Sequence, residues 1–386
     1  MMRPAGLSIS AILVLGVAVV WTPPAARAAK HRVNPGESIQ AAVDAASPGD
    51  TIRVMPGDYT ETNPGPAAVR ITKPLKLLAK SKLPSVKVRL LPGPGQSHGI
   101  LVEPANEGDA DINGITIQGF SVEGFSNMGI WLRHVNRFRI EGNESINNLE
   151  NGIFPTLSAQ GLVKKNVSYG SHDAAMWVEG SENVRVLRNE IHDSPTGLEI
   201  TVYHEITVKR NNIHDNTIGV GLYHPATAGL GPGTPGLPPY SESGYWHILA
   251  NYVHDNNADN TGDPGSETSQ LPKGGGILIL GADHVDVRKN RVENNNFFGI
   301  AIVDYCIAVA GTPFACPLPP ELPDPSPDYN QIIGNQLANN HTNPPPGPFQ
   351  AVAADILALG GTNNCFSRNT FAQPPLTIPS PLAPGC

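Results

Sequence analysis

Apolar residues alternate with polar ones in short runs, and each run ends in a polar turn that keeps one beat along the chain. In "RVLRNEI", "TVKRNNI", "DVRKNRV" and "CFSRNTF" a β-branched-rich stretch leads to an asparagine, and an apolar residue follows two positions later. These asparagines are Asn143, Asn166, Asn189 and Asn211, at steps of 23, 23 and 22 residues, and the phrase returns at Asn251, Asn290, Asn335 and Asn369. A second column, Gly129, Gly152, Ala175, Gly197, Gly219, Gly276 and Gly299, opens short strands such as "GIWL", "GLEI", "GILI" and "GIAI". Alternation is the period of a strand. A repeat near 22 residues holding three strands is the period of a solenoid. The pattern predicts an all-β fold: a single-stranded right-handed parallel β-helix, a solenoid with three strands per coil. Successive coils would stack about 4.8 Å apart. One inward asparagine per coil would donate its amide to the next. The Leu-dense consensus of a leucine-rich repeat is missing, and a propeller blade needs a longer unit.

Two terminal segments depart from the beat. From Ser38 to Ala46, Ile39, Ala42, Val43 and Ala46 make one apolar face of a short helix, placed to cap the first coil and shield its strand edge. Before it, Arg3, an apolar run from Leu7 to Val20 and the triplet Ala26-Arg27-Ala28 form a signal peptide cleaved before Ala29. The apolar run is too short for the roughly 20 residues of a membrane span, so none is expected after cleavage. The expected organisation is 1–28 signal peptide, 29–50 cap with helix, 51–372 β-helix and 373–386 Pro-rich tail. The protein is then secreted or periplasmic, and expected to be a monomer.

Composition fits this picture. Only 6% of the 386 residues are aromatic, while Gly (40) and Pro (38) are abundant. A solenoid buries modest side chains one coil at a time and needs few large ones. The net charge of −8 argues against nucleic acid as a partner. Four cysteines, Cys306, Cys316, Cys365 and Cys386, suggest two disulfides in a secreted chain. Proximity favours Cys306–Cys316 and Cys365–Cys386, although three pairings are open.

The phrase "HRVNPGESIQAAVDAASPGDTIRVMPGDYTE" resembles the opening of secreted proteins of the pectin-lyase-like superfamily, including NosD-type and carbohydrate-active β-helix members. The resemblance implies the β-helix fold from about residue 31 to 372. It does not fix an activity, because lyases, hydrolases, epimerases and non-catalytic proteins share the fold. The "NTD", "RIK" and Gly-His-Gly set of polygalacturonases, the Asp-Pro-His segment of mannuronan epimerases and a pectate lyase pattern are all missing.

Function is therefore sought where the repeat is broken. Asn211 to Asn251, Asn251 to Asn290 and Asn290 to Asn335 span 40, 39 and 45 residues. The excess falls at 225–244, 257–274 and 305–328, flanking the strands opened by the glycine column. Loops on both edges of one sheet would wall a groove on its outer face. The outward residues of that sheet are Trp131, Phe154, Trp177, Glu199, Gly221, Leu278 and Ala301. Three aromatics in a row are expected to face solvent as a sugar-stacking strip. Trp131, Phe154, Trp177 and Tyr223 are the candidate substrate-binding residues. Glycoside hydrolysis needs two carboxyls across the scissile bond. Glu199, Glu179 and Asp304, with His224 at a strand end, are the candidate catalytic residues. A uronic-acid lyase or epimerase would instead need cations or Ca²⁺ beside the substrate. Lys165, Arg188, Arg210 and Lys289 lie one residue before the ladder asparagines, at another corner. The repeated "HD" of His192-Asp193, His214-Asp215 and His254-Asp255 would stack three outward imidazoles; His192, His214 and His254 are candidate ligands for Zn or Cu. His172-Asp173 is out of register and is excluded from that column. No motif requires a cofactor. Three functions remain open: a polysaccharide hydrolase or lyase acting in the groove, a non-catalytic β-helix that binds glycan or protein, and a periplasmic metal-handling protein.

Overall fold

The computed structural model describes residues 28–80, 86–231, 234–237, 239, 243–310, 318 and 322–382. The expected signal peptide, except Ala28, lies outside these residues, as do Cys316 and Cys386. No described cysteine is free. Among the described residues no helix is long and apolar enough to cross a membrane.

The chain winds through three parallel sheets in turn. The first has 12 strands, from Lys30–Val33 to Cys365–Ser367. The second has 11, from Gly57–Thr60 to Thr370–Phe371, and the third has 11, from Ala67–Ile71 to Thr377–Ile378. Each strand pairs with its equivalents one coil away, as Glu190–His192 pairs with Val167–Tyr169 and Asn212–His214. The interior is one continuous core of Ile, Val and Leu side chains. The sheet continues past the expected end at 372, because Thr377–Ile378 of the Pro-rich tail adds a last strand beside Ala354–Leu359.

The asparagine column forms the predicted internal ladder. Asn166 Nδ2 donates to Asn189 Oδ1 at 3.0 Å, and Asn189 Nδ2 donates to Asn211 Oδ1 at 2.9 Å. The same oxygen also accepts the backbone N–H of the preceding ladder residue, 2.9 Å from Asn166 to Asn189. The same nitrogen reaches a carbonyl of the preceding coil, as Asn189 to Val163 at 3.1 Å. A single side chain thus satisfies turn groups that a dry interior would otherwise leave unpaired. The contact survives the insertions: Asn211 to Asn251 and Asn290 to Asn335 both measure 3.0 Å. The basic residues before the ladder, Lys165, Arg188, Arg210 and Lys289, have φ of 55–58°. They form an exposed left-handed turn, remote from the groove.

A second ladder, unforeseen from the repeat phrase, lies where the second sheet turns into the third. Asn216, Asn256, Asn295 and Asn340 bond in series at 2.9, 3.0 and 3.1 Å. Ser171 and Ser194 take the same place in earlier coils.

The N-terminal helix spans Ile39–Ala45, with Ser38 and Ala46 as its caps. Ser38 Oγ accepts the Ala41 N–H at 3.0 Å. Ile39 and Val43 enter the core. Gln40, a polar position in the sequence pattern, is buried as well. Its carboxamide accepts from Arg70 N at 2.6 Å and donates to Arg70 O at 3.1 Å, capping the edge strand Ala67–Ile71.

Replacing Asn189 by Leu leaves partners unsatisfied in both adjacent coils. The expected loss, read by urea unfolding, is on the order of 1–3 kcal/mol. A neutral result would mean the ladder carries no stability.

Candidate functional site

The insertions do wall the outer face of the third sheet. Two leave its C-terminal edge, after Ile218–Tyr223 and after Phe298–Val303, and one approaches its N-terminal edge before Gly275–Leu280. A further segment before Ala354–Leu359 carries the 3-10 turn Pro348–Val352 and adds a fourth wall. The cavity between them has a volume of about 960 Å³, the size of a small-molecule or oligomer site. Its floor follows the register of the sheet: Trp177, Glu199, Gly221, Leu278, Ala301 and Leu357 occupy successive coils.

The end nearest the N-terminus is acidic. Glu199 is buried in the floor, and loss of solvent raises its pKa well above the usual carboxylate range. The nearby charges of Asp173, Glu179 and Glu267 push it further the same way. Asp173 is raised by burial too, but it accepts hydrogen bonds from Thr268 Oγ1 and from Asn151 Nδ2 at 3.2 Å, which favour its ionised form. Glu179 is raised to about 7 by burial, although it accepts the amides of Leu230 (2.9 Å) and Gly229. It thereby holds the loop after residue 224 back over earlier coils. At Gly180, φ +55°, an added Cβ would sit 2.9 Å from Leu237 and 3.2 Å from Leu230, so that loop packs directly on this backbone. The second insertion also folds back, with Asp263 Oδ1 accepting from His172 Nδ1 at 3.0 Å. Tyr223 lies across Gly221, where an added Cβ would come 2.2 Å from its Cζ. Burial, and then the charge of Glu199, hold the Tyr223 hydroxyl protonated.

Toward the C-terminus the cavity is aliphatic. Leu278, Ala301 and Leu357 line one outward column, and Leu280, Val303 and Leu359 line the next. No Lys or Arg lines the cavity among the described residues.

Of the residues singled out from sequence, Glu199, Trp177 and Tyr223 line the cavity, and Glu179 lies at its edge. The aromatic strip is present but does not face solvent. Phe154 is 4% exposed, packed between its neighbours in the strip, and Trp177 is 8% exposed because the first insertion folds back onto it at Gly229. Trp131 is half-buried. The rings stack on one another, with Trp131–Phe154 centroids at 6.2 Å and Phe154–Trp177 at 4.6 Å. Trp177 Nε1 donates to Thr201 at 2.8 Å. Of the three rings, Trp177 lines the cavity.

Asp304 and His224 are engaged elsewhere. Asp304 Oδ1 accepts the Ile307 N–H at 3.1 Å, capping the helix Tyr305–Ala310, and Oδ2 accepts from Ser326 Oγ. His224 Nδ1 accepts from Ala226 N at 3.0 Å, and its Nε2 donates to the Pro323 carbonyl at 3.2 Å. Burial lowers its pKa and keeps it neutral. It ties the first insertion to the third.

His192, His214 and His254 align on the outer surface of the second sheet, with centroids 5.1 Å apart. Their rings stack face to face, so their nitrogens run parallel and do not converge on a metal. Each Nδ1 donates to its own Asp at 2.6–2.7 Å. Those Asp residues hold left-handed turn positions, φ 52–55°, where Asp is well tolerated. The repeat of "HD" follows from this turn. Among the described residues no group of three or more His, Cys, Asp or Glu is placed to hold a metal ion.

His172 and Asp173, out of register with the "HD" column, line the cavity, with Glu150, Asp263 and Glu267 beside them. The fourth wall also went unread, though Asn335 to Asn369 spans 34 residues against the usual 22 or 23.

A family model described as "Right handed beta helix region" matches residues 95–230. DFA-IIIase from Arthrobacter chlorophenolicus A6, without its lid, superposes with a TM-score of 0.59 at 15% identity, covering 92% of this chain and 88% of that one. The same enzyme in complex with GF2 gives 0.59 at 16% identity, with the same coverage. The A-module of mannuronan C-5 epimerase AlgE4 from Azotobacter vinelandii gives 0.53 at 14% identity, covering 88% and 94%. No curated protein matches the sequence. The chain is a right-handed parallel β-helix, and at these identities the likeness is one of fold.

Glu179 gives a pH test of the loop packing. Its pKa rises from 4.5 to about 7 on folding. Between these values the folded protein binds more protons than the unfolded chain. The stability contributed by the protonated form is complete below about pH 4.5 and is lost as pH rises through 7. Glu179→Gln is expected to raise stability at pH 8 by on the order of 2–3 kcal/mol and to change little at pH 4.5. Thermal unfolding at the two pH values reads the difference. Equal effects at both would place the carboxyl in solvent.

Proposed function

We propose that the protein is a carbohydrate-active enzyme that hydrolyses a glycosidic bond in this groove, with Glu199 as general acid and Asp173 as general base. The observation that carries the reading is the pair itself. Two carboxyls share one cavity, and their surroundings separate their roles. Glu199 is held protonated by burial and neighbouring negative charge, without a hydrogen bond to favour its ionised form. Asp173 receives two side-chain hydrogen bonds that favour carboxylate. Glu199 gives its proton to the leaving glycosidic oxygen. Asp173 takes one from the attacking water, and the two groups exchange protons through solvent to reset the site. Trp177, in the coil before Glu199, lines the same cavity and gives a sugar an apolar contact. A mannuronan epimerase among the fold neighbours agrees with a glycan ligand.

The cavity's charge favours a neutral glycan. A uronate would bring its own negative charge to five acidic side chains and, among the described residues, meet no Lys or Arg. Hydrolysis is thus favoured over lyase or epimerase chemistry on uronic acids. Export to the periplasm or beyond belongs to the same proposal and rests on the pattern of residues 1–28.

A turnover screen on neutral oligosaccharides, with binding measured in parallel, tests this reading. Glu199→Gln and Asp173→Asn are each expected to keep binding and to lower turnover by about 100-fold or more. Trp177→Ala is expected to weaken binding roughly tenfold, since a lost aromatic contact of about 1.4 kcal/mol is a factor of ten. Full turnover in Glu199→Gln would remove it from the chemistry.

A further inference from the structure

The aliphatic half of the cavity has no part in the hydrolytic reading. We propose that it is a binding site for an apolar aglycone, so that the ligand is an amphiphile with a neutral sugar head at Glu199 and a hydrocarbon body lying along Leu278 and Leu357. The inference rests on the glycan reading for its head group only.

Three observations carry it. The first is the change of chemistry along one column. From Glu199 to Leu357 is four strand steps, or roughly 19 Å. The side chains pass from carboxyl to Gly221 and then to Leu278, Ala301 and Leu357. The neighbouring column passes from Glu179 through Thr201 and Tyr223 to Leu280, Val303 and Leu359. A polysaccharide laid along this floor would set ring hydroxyls against aliphatic side chains that offer them no hydrogen bond. Each such burial is costly. A hydrocarbon chain carries no such cost.

The second is the exposed rim of this half. Val309, after Phe298–Val303, and Phe349, before Ala354–Leu359, line the cavity and are 57% and 37% exposed. Most large apolar side chains here are buried, yet these two stand open beside the aliphatic column. Apolar groups left together in water mark a binding surface.

The third is that this half is built, not left over. Leu278, Leu280, Val303 and Leu357 belong to a cluster separate from the solenoid core, closed by Phe297 and Phe298 of one coil and by Val352 of the fourth wall. The insertions therefore enclose an apolar chamber outside the sheet, and its open side leads to the acidic end.

The test is calorimetric titration of the full chain with methyl, butyl, hexyl and octyl β-glucosides, each below its micelle-forming concentration, beside 1-octanol. Affinity is expected to rise about fourfold per added methylene, and octyl glucoside to bind at least about 100-fold more tightly than butyl. Leu278→Gln should abolish most of that gain. Phe349→Ser, at the exposed rim where folding is not at risk, should weaken octyl glucoside severalfold and leave methyl glucoside unchanged. Affinity independent of chain length would overturn the proposal, even if neutral glycans are turned over. Octanol binding as tightly as octyl glucoside would keep the apolar site and remove the sugar head, so the two readings fail separately.

Discussion

The hydrogen bond between asparagine carboxamides of adjacent coils is the constraint on which the molecule depends. A parallel solenoid must turn its backbone three times per coil around a dry core, and each turn strands amides and carbonyls. Asn is short enough to point inward and has both donor and acceptor, so one residue type answers the need at each level from Asn143 to Asn369. The ladder also carries register across interruptions. Asn166 and Asn189 lie 23 residues apart, Asn290 and Asn335 lie 45 apart, and the carboxamides meet at 3.0 Å in both cases. Because coil geometry is fixed at the ladder, insertions elsewhere do not disturb it. The walls of the groove are additions that the ladder permits.

This explains what the sequence could reveal. Residues whose role is set within one repeat were legible. The ladder from Asn143 to Asn369, the inward and outward phase of the third sheet, and the positions of three insertions all follow from local period. The second ladder was hidden because Ser171 and Ser194 stand where later coils use Asn216 and Asn256. Residues whose role depends on another insertion were not legible. Trp177 reads as an exposed ring from its phase alone, and it is buried because a loop some fifty residues later returns to Glu179. Asp173 was set aside for being out of register with the "HD" turns. That same offset places it just before Ala174–Glu179, at the edge of the groove sheet, where Thr268 of another insertion reaches it. The stacked histidines show the converse. Their alignment was readable, but parallel ring planes, which exclude convergence on a metal, are a matter of side-chain geometry.

The acidic end of the cavity carries a conflict between folding and chemistry. Glu179 and Glu199 are raised by burial, and the charge of Asp173 makes both harder to ionise. Such a cluster weakens the fold as pH rises, because every lost proton leaves a charge in a poor solvent. It persists on a scaffold whose stability comes from elsewhere, through parallel pairing and two polar ladders. The same conflict makes the groups useful. On the proposed reading, a carboxyl whose proton is held by burial is the donor to a leaving oxygen, and a neighbour held by two hydrogen bonds is the acceptor.

The polarity of the groove changes along the axis of the solenoid, and a repeat fold makes that easy. Inward residues are bound to the core and ladders and vary little: Ile200, Leu222, Ile279 and Ile302 face the same interior. Outward residues in the same strands are free of that demand, so each coil adds one independent choice to the floor. Glu199, Gly221, Leu278 and Ala301 are four such choices, made without altering the path of the backbone. A substrate that spans several coils is then read one level at a time. In this chain the levels read from acid to hydrocarbon. That order, more than any single residue, separates its site from a groove suited to a uniform polysaccharide.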